Sequence, residues 1–440
     1  MPWLVFISAG ADAACNTSVK STICDSSPTN PQATLIGAGN VPSEDGRTVT
    51  VENGSSIAVG NSNAISLRDR ANVNVLQGGT VSAVSTNTGG LYRTGGNTIE
   101  FRNAGRLTVA QGGQVSSNGT QIPAEAVNLQ GAVNVITNSG LIYGKNAAAI
   151  WFQNLAGLNT VVNTDTGVIQ APGNVIGATG NGAVDFINRG KVIGNLFFAG
   201  GDDTLRLYTG SSISGNFSGG AGNDTVFLNG TGGSTLPGNF SGFETLYKSD
   251  SGTWILSGTL SGVVRSEVVD GTLILTGENT NYSGTMLVDP SGTLEARAQS
   301  LPPTVTDNGL VRFAQPDAGT YAGSLSGTGA IEKTGDGVLT LAPSSGANTY
   351  SGGTTITQGT VAIAADSAIG AATGGLTFNG GTLQLNDNLD LAPTRSISIT
   401  SAGGIIDTQG FASTLSQGVG GTGTLTKAGS GTLTLNGANT

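Results

Sequence analysis

Apolar residues in this chain fall at every second position, in short runs separated by small polar residues. Leu205-Arg206-Leu207, Val226-Phe227-Leu228, Leu273-Ile274-Leu275, Leu339-Thr340-Leu341, Leu383-Gln384-Leu385 and Leu433-Thr434-Leu435 all follow this pattern. A spacing of two puts aliphatic side chains on the inner face of a strand and Thr, Gln or Arg outside. Between the runs lie Gly, Asn, Ser and Asp, residues suited to turns with positive φ. Helical periodicity is nearly absent. Ala147 to Phe152 is the longest apolar run beyond the N-terminus, and its length suits a buried strand. The pattern predicts an all-β chain of many short strands.

The strands are organised by repeats. Asn138-Ser139-Gly140-Leu141-Ile142 is followed by Asn163-Thr164-Asp165-Thr166-Gly167-Val168-Ile169 and by Asn188-Arg189-Gly190-Lys191-Val192-Ile193, with the leading Asn residues 25 apart. Asn103-Ala104-Gly105-Arg106-Leu107 reads as a fourth, more distant copy. A second phrase, V-x-Q-G-G-x-V, occurs at Val75–Val81 and Val109–Val115. A unit this short cannot bury its own core, whereas stacked units bury one continuous core. The reading is a parallel β-helix of about 25 residues per rung, roughly 16 rungs and about 75–80 Å in length. The recurring Asn residues are expected to stack as an amide ladder. A β-propeller would need blades of about 40 residues with recurrent aromatic signatures, and none are found.

Composition narrows the function. Glycine supplies 72 of 440 residues, and charged residues are only 10% where about 25% is usual. With 37% hydrophobic residues the chain should bury a core rather than stay disordered. The net charge of −10 argues against a nucleic-acid partner, which needs a basic face. Histidine is absent, so Ser-His-Asp and Cys-His nucleophilic sites and His-ligated zinc are excluded within this chain. Cys15 and Cys24 are expected to form a disulfide in an oxidising compartment, with two free thiols as the alternative. Trp3 to Ile7 is a short apolar run, and Ala11-Asp12-Ala13 resembles a small-x-small cleavage site. Residues 1–14 therefore read as the remnant of a secretory signal peptide. Asp12 argues against lipidation of Cys15. No later run approaches the ~18 apolar residues of a membrane-spanning helix.

The distal half carries a longer motif. Gly327-Thr328-Gly329-Ala330-Ile331-Glu332-Lys333-Thr334-Gly335-Asp336-Gly337-Val338-Leu339-Thr340-Leu341 leads to Asn348-Thr349-Tyr350-Ser351-Gly352-Gly353-Thr354-Thr355-Ile356, and Gln358-Gly359-Thr360-Val361 closes it. A second copy begins at Gly421-Thr422-Gly423-Thr424-Leu425-Thr426-Lys427 and runs through Leu433 and Leu435 to Asn439-Thr440. A degenerate copy joins Leu246-Tyr247-Lys248 and Gly252–Leu256 to Asn281-Tyr282-Ser283-Gly284-Thr285 and Gly292-Thr293-Leu294. These motifs resemble the passenger-associated transport repeat of bacterial autotransporters (type V secretion), also called the autotransporter-associated β-strand repeat. The resemblance implies a right-handed parallel β-helix, export through the periplasm, and passage across the outer membrane through a C-terminal β-barrel. On this reading residues 15–239 are an N-terminal passenger β-helix with ~25-residue N-x-G-x-I rungs. Residues 240–440 are a stem of transport repeats. Only 5% of residues are aromatic and the chain ends inside a repeat, so the barrel is expected to be missing and the chain to be a passenger fragment.

Several further segments carry residues with candidate chemistry. Gly219-Gly220-Ala221-Gly222-Asn223-Asp224-Thr225-Val226-Phe227 fits the calcium-binding nonapeptide, and Gly200-Gly201-Asp202-Asp203-Thr204-Leu205 is a looser relative. Calcium needs tandem copies that enclose the ion with six to eight oxygens, and a Gly-Asn-Asp corner entering a strand explains the single copy. Asp202/Asp203 and Glu267/Asp270 are the carboxylate pairs a carbohydrate-active enzyme would use. Arg68-Asp69-Arg70 is the one tight charge cluster, read as a solvated corner. Trp151, Phe152 and Phe197-Phe198 are read as core rather than as a binding patch. The expectation is a non-enzymatic, adhesin-like surface passenger with no catalytic, cofactor or metal site. Its expected partners are an outer-membrane translocator β-barrel and a host-cell, matrix or glycan ligand. The alternatives are a carbohydrate-active β-helix enzyme or a calcium-binding toxin-like module.

Overall fold

The computed structural model describes residues 15–27, 30–39, 41–84, 96–119, 124–279 and 281–440. The expected signal-peptide remnant at 1–14 lies outside the described residues. Among the described residues there are strands and three short 3-10 segments, Pro42–Glu44, Ala298–Ser300 and Asp366–Ile369, but no α-helix. The fold is an all-β parallel solenoid, and it divides into two compact units, Met1–Val226 and Phe227–Thr440.

In the first unit each full rung contributes three strand faces. One face aligns Val49, Val73, Leu107, Ile136, Val161, Phe186 and Leu205. A second aligns Ile57, Val81, Val115, Ile142, Ile169, Val192 and Ile213. A third aligns Ile65, Ile99, Val127, Ile150, Ile176, Leu196 and Phe217. All are buried. Each such side chain contributes about 1.5–3 kcal/mol by leaving water. A rung alone would gain nothing from its inner face, so stacking and burial are one event.

Parallel register confirms the repeat phrases and corrects one. The two V-x-Q-G-G-x-V copies stack residue on residue, Val75 on Val109 and Val81 on Val115. Their wider spacing reflects an insertion between Val84 and Ile99, not a break in the pattern. The proposed fourth Asn-x-Gly copy is not equivalent to the others. Asn103-Ala104-Gly105 leads into the strand Arg106–Val109, which stacks on Val135–Asn138, so Val109 is the residue beneath Asn138. The phrase recurs because different corners share one turn chemistry.

The glycine of that phrase also has a different cause from the one expected. Gly140, Gly167 and Gly190 do not adopt the left-handed region. A Cβ at Gly140 or Gly190 would instead overlap the carbonyl oxygen of the preceding rung's glycine, Gly113 or Gly167 respectively. The corner needs glycine for close backbone approach.

Rung length is not uniform. It is 25 residues between Asn138 and Asn163. From Val184 on it contracts, with separations of 19 to Asp203 and 21 between Asp203 and Asp224. In the second unit separations run from 17 at Thr293/Leu310, through 20 at Asn239/Thr259 and Asn308/Thr328, to 24 at Asn388/Ala412. The expected 25-residue period is thus a property of the middle of the first unit only, because later rungs spend fewer residues at their corners.

In the second unit Trp254, Leu273, Leu294, Val311 and Ile331 form one inward column. Leu256, Leu275, Ala296, Phe313, Lys333, Ile356, Phe378 and Ile399 form its neighbour. Alternation fails at Thr432–Leu435, where Leu435 is 44% exposed. That strand stacks on Ala412–Leu415 on one side only.

The first strand pair is the antiparallel exception. Cys15–Thr17 pairs with Ser21–Cys24, and a disulfide joins Cys15 to Cys24 as expected. Ser21–Cys24 stacks in parallel on Thr48–Val51 through its other edge. The short hairpin therefore covers an edge that would otherwise offer unpaired backbone groups.

Candidate functional site and the clamps between rungs

A solenoid corner exposes backbone N–H groups that the strand ladder does not reach. Each must find an acceptor when buried. In the first unit one column of positions supplies it. Gly105 N donates to Asn134 Oδ1 at 2.7 Å, and Asn134 N donates to Asn159 Oδ1 at 2.9 Å. Further along, Val184 N donates to Asp203 Oδ1 at 2.6 Å and Asp203 N to Asp224 Oδ1 at 2.7 Å. Each side chain ties its own rung to the one before.

The predicted amide ladder is a second column. Asn138 Nδ2 donates to Asn163 Oδ1 at 2.9 Å, and Asn163 Nδ2 to Asn188 Oδ1 at 2.8 Å. All three are fully buried. The ladder stops where Leu207 stacks on Asn188, and Asn188 Nδ2 finds no acceptor there.

The calcium-like segments belong to the first of these columns. Asp203 and Asp224 are one rung apart and buried, each accepting a backbone N–H. Burial pushes the Asp203 carboxyl up to about 8, helped by the neighbouring Asp224 and Asp202. Its Oδ2 is buried without a hydrogen-bond partner, which suits a protonated group. Among the described residues no three acidic, His or Cys side chains gather into a metal cage. Asp202 faces outward and accepts from Asn223 N at 2.9 Å. In the other carboxylate pair, Glu267 is bound by Arg265, and Asp270 accepts from Gly271 N at 2.7 Å. Arg68, Asp69 and Arg70 form a corner network with Asp45, and Asp69 also accepts from Asn103. Phe152 and Phe198 are core as expected, but Trp151 and Phe197 are not: their strand positions leave both half-buried, and Trp151 lines a groove.

The second unit uses the same corner acceptor and adds cations and phenols. Leu260 N donates to Asn279 Oδ1 at 2.8 Å, Leu325 N to Asn348 Oδ1 at 2.9 Å, and Val419 N to Asn439 Oδ1 at 2.9 Å. Asn348 Nδ2 reaches forward to Ala368 O at 2.7 Å, so this amide ties three rungs. Tyr350 and Tyr282 are buried, with their hydroxyls hydrogen-bonded to Thr354 and Ser266.

Lys333 is wholly buried, and its Nζ donates to the carbonyls of Thr334, Gly335 and Gln358 at 2.8, 2.6 and 3.2 Å. Burial lowers its pKa to about 8, opposed by Asp336. Lys248 repeats the clamp on Ser249, Asp250 and Asp270 carbonyls, and Lys427 on Ala428 and Gly429. Arg395 is the tightest case. It is 0% exposed, bonds both oxygens of Asp366, and caps the carbonyls of Ile369, Gly370 and Gly374. These cations were not foreseen as structural groups. Alternation contained the signal, since Lys333 shares the inward face with Ile331.

A parallel β-solenoid whose corners are tied rung to rung by buried polar side chains is a stacking protein. The family described as passenger-associated-transport-repeat matches residues 270–296, 331–363 and 421–440. A segment is 37% identical over 97 residues to the Adhesin BmaC autotransporter of Brucella suis biovar 1 (strain 1330), covering 22% of this chain and 3% of that protein. Another is 32% identical over 117 residues to the Uncharacterized lipoprotein YdeK of Escherichia coli (strain K12), covering 26% of this chain and 8% of that protein. The matches thus span a small part of either relative's length. No solved structure matches. The chain carries passenger-associated transport repeats, and together with the adhesin relative they support an autotransporter passenger.

The first match begins at residue 270, which revises the degenerate copy. Thr253–Leu256 stacks on Thr272–Leu275, so the Leu246–Leu256 segment lies one rung before the matched repeat. Lys248 stacks on Val268, and the first matched repeat is without an inward lysine at that position.

Proposed function

We propose that the chain is a structural, adhesin-like passenger displayed at the cell surface, and that its transport repeats assist folding as the chain emerges across the outer membrane. The observation that carries this reading is the clamp set. Lys333, Asn348, Tyr350 and Arg395 each bond a neighbouring rung or lock a corner, so every rung completed fixes acceptors for the next. A chain arriving in order would gain stability rung by rung, which opposes backsliding. The translocator is a C-terminal β-barrel of the full protein, and the chain reaches the surface through the periplasm. The distal repeats from about residue 240 act as the stem and the preceding rungs as the displayed part. A non-enzymatic role is supported by the absence of histidine and by candidate carboxylates already engaged with backbone N–H groups or arginine.

Expression of the complete gene and protease treatment of intact cells tests the reading. Loss of the passenger from intact cells, together with adhesion to host cells or matrix, is expected. A passenger that stays protected inside intact cells would overturn it.

A further inference from the structure

The first unit carries one large groove, about 860 Å³, on its outer surface. It lies in the size range of small-ligand sites. Asn128 and Trp151 line it, and they belong to an outward-facing column in which Glu100, Asn128, Trp151 and Gly177 stack on successive rungs. Ile150 and Phe152 point into the core, so Trp151 between them points out. A Cβ at Gly177 would overlap the indole ring. Glycine there lets the ring lie against the next rung and present its other face to the groove.

Two features distinguish this groove from a packing defect. Asn128 is only 3% exposed although it occupies an outward position, and its Oδ1 is buried with no partner. Its amide also hydrogen-bonds Glu125, a buried carboxyl that burial raises above the usual range. The amide nitrogen is thereby committed, and the oxygen is left without a donor on a residue that lines the groove. Second, the wall is built rather than incidental. The long strand Val168–Ala178 breaks register between Gln170 and Asn174, lifting Pro172 and Gly173 beside the indole. Exposed Gln153 and Asn174 supply donors and acceptors at the rim.

We infer that this groove binds a neutral saccharide, with Trp151 as the platform for a sugar ring and Asn128 Oδ1 as an acceptor for a sugar hydroxyl. The apolar face of a pyranose stacks on an indole, while its hydroxyls act as both donors and acceptors. Side-chain amides at the rim match that dual character. Glu125 and Lys145 both line the groove, so its lining carries no excess positive charge to select an acidic sugar, and the chain charge of −10 disfavours one further. A peptide adding as a strand would need a free edge, and the strands Val127–Leu129 and Ile150–Phe152 beside the groove are paired on both sides. The inference deepens the surface-passenger reading by naming the ligand class, and it rests on that reading for its biological setting.

The test uses the full chain against immobilised neutral oligosaccharides ending in glucose, galactose, mannose or N-acetylhexosamine, beside acidic sugars, peptides and fatty acids. Trp254 is fully buried and Trp3 lies outside the described residues, so the part of the indole quenching that Trp151→Ala abolishes is the part that reports Trp151. Trp151→Ala should weaken binding about tenfold or more, with the circular dichroism spectrum unchanged. Gln153→Ala, on the exposed rim, should weaken it several-fold and keeps the test open if Trp151→Ala fails to fold. No binding to any neutral sugar, preference for the acidic, peptide or fatty probes, or wild-type affinity in both variants overturns the inference. Cells that display the passenger and adhere equally with Trp151→Ala would sink the groove and leave the adhesin reading standing. Sugar binding by the purified chain without cell adhesion would do the reverse.

Discussion

The two units solve one problem with different chemistry. In the first, corners are tied mainly by amides and carboxylates, as in the Asn138–Asn163–Asn188 ladder and the Asp203–Asp224 pair. Its rungs vary in length, and that variation builds relief, including the groove beside Trp151. In the second, rungs of 17 to 24 residues keep the corner amides and add buried cations and tyrosines that lock the corners. An amide ladder needs its partner at the same register in the next rung. A lysine or arginine reaches several carbonyls around its own corner. The second design tolerates sequence drift between rungs and still fixes the fold, which suits a stem.

The largest expected effect of breaking this contrast is at Arg395. Removing it leaves Asp366 and three carbonyls without their cation, so Arg395→Ala should cost about 3–5 kcal/mol in urea unfolding. Arg395→Lys should not restore it, since the bond to both Asp366 oxygens needs the guanidinium fork. Asn163→Ala cuts the ladder in the middle and leaves buried amides on both sides, for an expected loss of about 2 kcal/mol.

A smaller, pH-dependent effect comes from the raised carboxyls. Asp203 is pushed up to about 8 and Asp307, by burial, to about 7. Each holds a proton in the fold that the unfolded chain releases near pH 4. Their stabilising contribution is therefore complete below about pH 4, is lost progressively as pH rises, and is gone above the folded values of about 7 to 8. Melting temperature should fall over that interval, and Asp203→Asn should flatten the slope. A slope unchanged in Asp203→Asn would show that this carboxyl is ionised in the fold. The least effect is expected at Trp151, where Trp151→Ala should shift stability by about 0.5 kcal/mol or less, because the indole lies outside the core.

Much of the fold was legible in the sequence. Alternation placed the inner columns, and the 25-residue Asn spacing gave the ladder that Asn138, Asn163 and Asn188 form. The V-x-Q-G-G-x-V phrases stack as repeats should. The contraction to shorter rungs was not legible, because the corner residues change from Asn-x-Gly to Lys, Asn-x-Tyr and Arg at the same time. Asn103 was misaligned because one turn chemistry serves several corners. The Lys333 clamp was hidden by the habit of placing lysine outside, although its inward position followed from Ile331. The groove was the least legible feature. It depends on a register break and on Gly177 lying under Trp151, both set by neighbouring rungs rather than by local sequence.

On the proposed function, the distal clamps serve delivery and not only stability. The most direct test displays the full-length protein with either Lys333→Met or Asn163→Ala and measures protease-accessible passenger on intact cells. The urea-unfolding loss of each purified variant provides the stability reference. The account predicts that Lys333→Met depletes surface passenger several-fold more than Asn163→Ala at equal or smaller loss of stability. Surface levels that follow stability alone, regardless of which unit is altered, would contradict it.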